Sequence, residues 1–472
     1  MHRRKFLASG AAVAFAPRLG AAASRPNILF AVSDDQSFAH TGATGDPVVR
    51  TPNFDRVAAE GVRFSHAFCS SPSCTPSRSS ILTGQECYRL EEAVNLWSSL
   101  PAKFDTYPDL LEGAGYHVGY SRKGWGPGRV EVGGRDRNPA GANYTDFRSF
   151  HDAAPDSAPF CFWFGSTDPH RPYKKGSGLA SGLRLDDVPV PQFFPDEREV
   201  RSDILDYYFE IGRFDRELGE ILTLLEERDQ LDNTIVIVTS DNGMPFPRAK
   251  ADLYDYGSRL PLAVRWPERV PGGRIVSDFI SLVDVAPTIL EAAGLEAPGE
   301  MTGRSFLDLL TSDQHSRIDQ SRDHVILARE RHTPWRAGRV GYPMRAIRTD
   351  EYLYIRNLEP DRWPAGDPPY YGEVDPSPTK TFMVERRGAS GFESYFESAF
   401  GKRPAEELYD LALSTSQMAN VAGQQSYSKM KGALSMRLDE RLRATADPRA
   451  LGRPPTWEAD PHFGRASAES RR

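Results

Sequence analysis

Three short apolar runs break off abruptly into acids and amides. Asn27-Ile28-Leu29-Phe30-Ala31-Val32 ends in Ser33-Asp34-Asp35, and Thr234-Ile235-Val236-Ile237-Val238-Thr239 ends in Ser240-Asp241-Asn242-Gly243. Phe160-Cys161-Phe162-Trp163-Phe164 is followed by Asp168-Pro169-His170-Arg171. Runs of this length without polar alternation predict strands buried on both faces, as in the centre of a parallel sheet. Open parallel sheets hold their ligands outside the carboxyl ends of the strands, where these polar groups collect. Helical spacing of apolar residues lies between the runs, over Asn53 to Glu60, Asp109 to Gly113 and Ile204 through Leu225. The order strand, helix, strand predicts an α/β fold with a mixed, mostly parallel sheet sandwiched by helices.

Beyond about Gly341 the pattern changes. Short aromatic stretches such as Tyr352-Leu353-Tyr354-Ile355 precede a Pro/Gly-rich segment from Pro360 to Pro378, and one helical pattern runs from Ser428 to Ala444. This predicts a smaller C-terminal α+β domain with a short antiparallel sheet and a packing helix. The expected division is residues 25–340 for the catalytic domain, 341–450 for the C-terminal subdomain and 451–472 for a disordered tail.

Residues 1–23 read as a targeting segment to be left out of the fold, with Arg3-Arg4-Lys5-Phe6-Leu7 ahead of an Ala-rich apolar run. The paired arginines point to twin-arginine export into a bacterial periplasm or beyond, with a Sec signal or a retained anchor as the alternative. Past Ala23 no stretch approaches the roughly 20 apolar residues that span a bilayer, so stable membrane insertion is not expected after removal of the signal. A net charge of -7 with no Lys/Arg run argues against nucleic acid as a partner. Any anionic substrate must therefore meet a local cluster of cations. The four cysteines, Cys69, Cys74, Cys87 and Cys161, are too few for a disulfide framework and lack zinc spacing. One bridge among Cys69, Cys87 and Cys161 and burial of all three as small apolar residues are both open.

The densest signal is Cys74-Thr75-Pro76-Ser77-Arg78, continuing to Thr83-Gly84. Arg78 follows Cys74 by one helical turn, and a helix starting near Pro76 places this site at an N-terminus, which favours anions. Asp34, Asp35, Asp241 and Asn242 offer only hard oxygen ligands, suited to calcium or magnesium rather than zinc.

These residues match the C-x-P-S-R and T-G signature of the sulfatase family, which shares the alkaline-phosphatase-like fold. The resemblance implies that a formylglycine-generating or anaerobic sulfatase-maturating enzyme oxidises Cys74 to formylglycine. It also implies that one calcium ion is held by Asp34, Asp35, Asp241, Asn242 and an oxygen at position 74. By the same resemblance Lys123 contacts the sulfate and leaving group, His170 in Asp-Pro-His-Arg is the acid to the leaving group, and Lys250, with Arg248 as its rival, binds sulfate. The sequence departs from the family at Trp125, which stands where the G-K-x-H motif has its histidine. Ser240 to Pro247, Asp168 to Arg171 and Tyr342-Pro343-Met344-Arg345 resemble the heparan N-sulfatases more than the arylsulfatases. That likeness implies a sulfated glycan substrate ending in glucosamine N-sulfate, with Glu330, His332 and Arg345 as candidate sugar or carboxylate ligands. An O-sulfatase on another polysaccharide and a non-catalytic glycan-binding homologue that keeps the Cys74 thiol share the same core. A phosphatase of this fold is disfavoured, because those enzymes carry Ser or Thr as nucleophile and two metals with several histidine ligands, whereas this chain has ten histidines in all. Oligomeric state stays open.

Overall fold

The computed structural model describes residues 25–155, 158–459 and 461–464; the expected export segment lies outside them. The sheet is organised around β1 (Asn27–Ser33), whose seven residues are all buried. In chain order there follow β2 (Val62–Phe68), β3 (His117–Arg122), β4 (Ala142–Tyr144), β5 (Phe160–Gly165), β6 (Thr234–Ser240), β7 (Arg259–Arg265) and β8 (Arg274–Ser281). Their spatial order is β4-β3-β5-β1-β6-β7-β2-β8. β1 pairs in parallel with β5 on one side and β6 on the other, and only β7 runs against its neighbours. The chain thus leaves β1 towards both halves of the sheet, and the strand order reverses at β1, the position where open α/β sheets bind ligands.

Alternate residues of β1 serve two cores, which is why the strand is apolar from Ile28 to Val32. Ile28, Phe30 and Val32 face a cluster with Ile81, Leu82, Leu111 and Ile289. Leu29 and Ala31 face Phe54, Val57, Phe214, Leu218 and Leu222. The second group belongs to helices Pro52–Glu60 and Arg198–Glu227. Asp215, buried within the longer of these helices, accepts from the backbone N–H of Asn53 at 3.0 Å and of Phe54 at 2.8 Å and so caps the shorter one. Burial pushes the Asp215 carboxyl up to about 6.

A second sheet of β9 (His324–Arg329), β10 (Met344–Thr349), β11 (Tyr352–Asn357) and β12 (Glu406–Asp410) is antiparallel throughout, in the order β12-β11-β10-β9. One face meets Leu434, Leu438 and Leu442 of helix Ser428–Ala444, and the other packs on Phe68, Leu253, Tyr254 and Phe279 of the larger body. This sheet starts before the expected boundary near residue 341. β9 is apolar on both faces, like the strands of the large sheet, and its pattern does not separate it from them. The tail expected to be disordered from Leu451 packs as far as Gly464: Trp457 is buried, and Phe463 donates its backbone N–H to the carbonyl of Trp97 at 2.7 Å. All four cysteines are free and buried, so the burial alternative holds and the disulfide does not. No helix among the described residues is long and apolar enough to cross a membrane.

Candidate active site

Register brings the first acids together. Ser33 of β1 lies opposite Ser240 of β6, so Asp34 and Asp241 leave the sheet side by side. Asp35 turns with φ +76° and donates its N–H to Asp241 Oδ1 at 3.1 Å, while Asn242 Nδ2 donates to Asp35 Oδ1 at 2.6 Å. The end of β5 is tied in by the Asp34 N–H, which donates to the carbonyl of Asp168 at 2.9 Å. Cys74 arrives from β2 through a short loop and is the first residue of helix Cys74–Thr83, whose ten residues are all buried. Ser73 at the cap makes no capping hydrogen bond with its side chain and instead meets His332 Nδ1 at 2.8 Å. The helix N-terminus, with its unpaired N–H groups and positive dipole end, therefore sits at position 74.

Cys74 Sγ lies 3.7 Å from Asp34 Oδ1 and 3.9 Å from Asp35 Oδ1. Burial pushes this thiol far up, against the pull of Lys123 and Lys250, so an unmodified Cys74 stays protonated and is a poor nucleophile. Arg78 reaches under the helix: Nε donates to Asp241 Oδ2 at 2.8 Å and Nη1 to the carbonyls of Lys123 and Gly124 at 2.8 and 2.9 Å. Its Nη2 is buried without a hydrogen-bond partner, a donor held ready beside the nucleophile position. Lys123 Nζ is 2.5 Å from Asp34 Oδ2, and Lys250 Nζ is 2.7 Å from Asp35 Oδ2. Burial opposes ionisation of Asp34, but Lys123, His170, Arg78 and Lys250 together outweigh it and hold the carboxyl well below its usual range. Asp241 moves the other way: burial, reinforced by Asp34, raises it against the pull of Arg78. His170 Nδ1 meets the carbonyl of Arg171 at 2.6 Å and must carry the hydrogen there, which leaves Nε2 facing Asp35 Oδ2 at 3.7 Å.

The donor set fits a hard divalent cation. Ligand atoms of Asp34, Cys74 and Asp241 all lie within 4.8 Å of one another. Asn242 Oδ1, at the same edge, is buried with no hydrogen-bond partner. Three carboxylates face three cations here, so a divalent ion would add the positive charge that an anionic substrate needs. Oxygen-only donors around a position that formylglycine would convert from sulfur to oxygen suit calcium.

Lys250 and its sequence rival Arg248 part company. Arg248 stacks its guanidinium 3.9 Å from the centre of the Tyr254 ring and donates to the carbonyl of Ser398 at 2.6 Å, away from the acids. Glu330 and Arg345, expected as sugar ligands, are not brought to the site. Arg345 donates to Glu330 Oε1 at 2.7 Å and to Asp447 Oδ2 at 2.8 Å, and Arg449 completes a closed, buried ion cluster on Glu330 at 2.7 Å. That cluster ties the end of helix Ser428–Ala444 to the small sheet; sequence alone does not distinguish it from a ligand set, because both need charged residues at strand ends. His332 does lie beside the nucleophile loop, buried, its pKa lowered to about 3 by burial. Trp125 packs behind the nucleophile helix and donates Nε1–H to Ser79 Oγ at 2.8 Å, so its side chain serves the core. Sequence reasoning missed Asp375, whose Oδ2 lies 3.5 Å from Lys250 Nζ. No local pattern marks it within the Pro-rich segment.

A strand edge that gathers hard oxygen donors, cations and a helix N-terminus around one nucleophile position belongs to the metal-assisted hydrolases of tetrahedral oxyanions. A sequence profile described as sulfatase matches residues 26–295, and one described as the C-terminal region of N-sulphoglucosamine sulphohydrolase matches residues 249–376. The chain belongs to the sulfatase family. It is 29% identical to human N-sulphoglucosamine sulphohydrolase over 482 residues, covering 91% of this chain and 92% of the human protein. It is 26% identical to an ulvan-active sulfatase of Formosa agariphila, covering 90% of this chain and 76% of that one. A solved protein in complex with its substrate D-glucosamine-2-N,6-O-disulfate has the same fold, with TM-score 0.65 at 20% identity over 90% of this chain and 98% of that one. The phosphonate monoester hydrolase of Agrobacterium radiobacter also matches, with TM-score 0.62 at 17% identity over 89% and 96% of the two chains. The fold is thus the alkaline-phosphatase-like one, and fold alone does not choose between these substrates.

Proposed function

We propose that this protein hydrolyses the sulfate group of a glycan ending in N-sulfoglucosamine, releasing sulfate and the free amine. The observation that carries the reading is the convergence of Cys74, Arg78, Lys123 and Lys250 on the acids Asp34, Asp35 and Asp241 at the end of β1. Likeness to human N-sulphoglucosamine sulphohydrolase over nine-tenths of the chain supports the choice of sugar.

Position 74, matured to formylglycine, would supply as its hydrate one hydroxyl to attack sulfur and a second that, on losing its proton, would re-form the aldehyde C=O as the C–O bond to sulfate breaks. Calcium, held by Asp34, Asp35, Asp241, Asn242 and the oxygen at position 74, would draw charge from the sulfuryl oxygens. The chain's own side chains do the remaining work. Lys123 and Lys250 bind the sulfuryl oxygens and offset the charge that grows on them as the S–N bond breaks. Arg78 orients the oxygen at position 74 through Nη2, which makes no hydrogen bond within the protein and lies 3.8 Å from Asp34 Oδ1. His170, its Nδ1–H fixed on the Arg171 carbonyl, gives a proton from Nε2 to the leaving nitrogen. The targeting segment exports the folded enzyme through the twin-arginine route to the periplasm, so a maturing enzyme acts on Cys74 before export.

The test is sulfate release, followed by ion chromatography, from glucosamine N-sulfate and from glucosamine 6-O-sulfate. The reading expects kcat/KM for the N-sulfate to exceed that for the 6-O-sulfate at least tenfold. The reverse preference establishes the O-sulfatase reading, which the likeness to ulvan-active sulfatases favours.

A further inference from the structure

We propose that Asp375 determines specificity: its carboxylate accepts hydrogen bonds from hydroxyl or amine donors of the sugar next to the scissile group. The assignment rests on the sulfatase reading above and adds to it a recognition element brought by the C-terminal part of the chain.

Position comes first. Lys250 Nζ bridges two carboxylates, Asp35 at 2.7 Å and Asp375 at 3.5 Å. The Asp35 side chain is 0% exposed and that of Lys250 5%, whereas Asp375 is 25% exposed. Asp375 is therefore the outer member of this row, one lysine removed from the acids of the proposed metal set. Lys250 is the cation nearest to it and the strongest pull on its carboxyl, so it stands directly beside the proposed sulfate-binding lysine.

The neighbouring carboxylates accept hydrogen bonds from side chains of the protein and it does not. Asp34, Asp35 and Asp241 each accept hydrogen bonds from the chain. Asp203, on the adjoining helix, accepts both arms of Arg171 at 2.8 Å and the hydroxyl of Thr379 at 2.7 Å. Asp375 accepts no hydrogen bond from the described residues, and a carboxylate has about four lone-pair positions to fill. Its backbone is nonetheless held on both sides. Two residues before it, Glu373 is gripped by Arg329 at 2.8 Å and Arg336 at 2.7 Å. Two residues after it, Ser377 Oγ accepts from the Lys380 N–H at 3.0 Å and caps helix Pro378–Glu385. A carboxylate with vacant acceptor positions on a fixed segment is a preorganised recognition group.

A negative charge beside an anion-binding lysine weakens the hold on sulfate alone. It becomes useful when the substrate brings a donor to that spot, and it then rejects sugars that place a second anionic group there. The amine left after S–N cleavage becomes an ammonium ion, which the same carboxylate receives.

Two constants move apart if this is right. For Asp375→Asn and Asp375→Ala, KM for glucosamine N-sulfate and the inhibition constant for inorganic sulfate are measured beside wild type, with thermal melts to confirm folding. Loss of one charged hydrogen bond predicts a rise of about tenfold or more in the ratio of KM to the sulfate inhibition constant, with sulfate itself bound as tightly as before or more tightly. Parallel weakening of sugar and sulfate, as expected if Asp375 merely positions Lys250, overturns the proposal, and so does an unchanged ratio. A wild-type enzyme that binds sulfate yet releases none from this sugar overturns the substrate reading, and the assignment to Asp375 falls with it.

Discussion

Glu86 offers a sharp physical test of the packing that supports the nucleophile. Its carboxyl is buried and accepts a hydrogen bond from Ser70 Oγ at 2.7 Å, and Ser70 Oγ in turn accepts from the Cys87 N–H at 3.1 Å. Ser70 stands in the loop that carries the chain from β2 to Cys74, so this pair braces the nucleophile from behind. Burial pushes the Glu86 carboxyl up from an ordinary 4.5 to about 7, and the Ser70 hydrogen bond and Arg441 recover only part of that. An acid with a raised folded pKa keeps its proton in the folded state after the unfolded chain has released it. Its contribution is therefore intact below pH 4.5, is lost as pH rises through 7, and stays lost above. At about 1.4 kcal/mol per tenfold, the loss across that window is about 3 kcal/mol. Glu86→Gln keeps the shape of the protonated group and cannot ionise. The variant should match wild type at pH 4.5 and exceed it by about 3 kcal/mol at pH 8, which in a protein of this size is a melting shift of about 3 °C. Paired thermal melts at the two pH values decide it, since acids with lowered pKa such as Asp255 and Glu330 affect both proteins alike. A difference of equal size at both pH values, or a variant less stable at pH 8, refutes the reasoning.

Lys250→Ala should lower kcat/KM by about a hundredfold to a thousandfold, as expected for loss of one donor to the transition-state oxygens, and a fall of less than tenfold in steady-state assays contradicts its role. Asp203→Asn leaves the buried Arg171 guanidinium without its two-armed partner and should cost about 3–5 kcal/mol in denaturant unfolding; a cost under 1 kcal/mol would show that water relieves the charge. Calcium added to chelator-treated protein should raise the unfolding midpoint, reaching about 2.7 kcal/mol at a hundred times its Kd, while Asn242→Ala weakens the response. A melt insensitive to calcium counts against the metal set.

The large sheet was legible because its central strands run apolar through their middles, with polar residues only at their ends, and the acids that follow them come from where such strands end. The long helix read clearly from its apolar spacing, though it begins at Arg198, ahead of the expected Ile204. Asp34, Asp241, Arg78, Lys123 and Lys250, expected from motifs, are brought together at the end of β1. Trp125, Arg248 and Arg345 show where sequence runs out. Each is a large side chain beside a motif or at a strand, and whether it turns to substrate or to the core is settled by partners far along the chain: Ser79, Ser398 and Asp447. Asp375 is the converse, a functional candidate that only tertiary contact with Lys250 exposes. β9 pairs in the small sheet although it precedes residue 341, and a strand buried on both faces looks the same in either sheet.

The central claim is that position 74 works as formylglycine, and the mass of the tryptic peptide Phe64–Arg78 from the exported native protein tests it most directly. The account predicts a peptide about 18 Da lighter than the one carrying two cysteine thiols, with the loss located at Cys74 by fragmentation. An intact thiol at Cys74 in folded, exported protein contradicts it and leaves a glycan-binding homologue in its place.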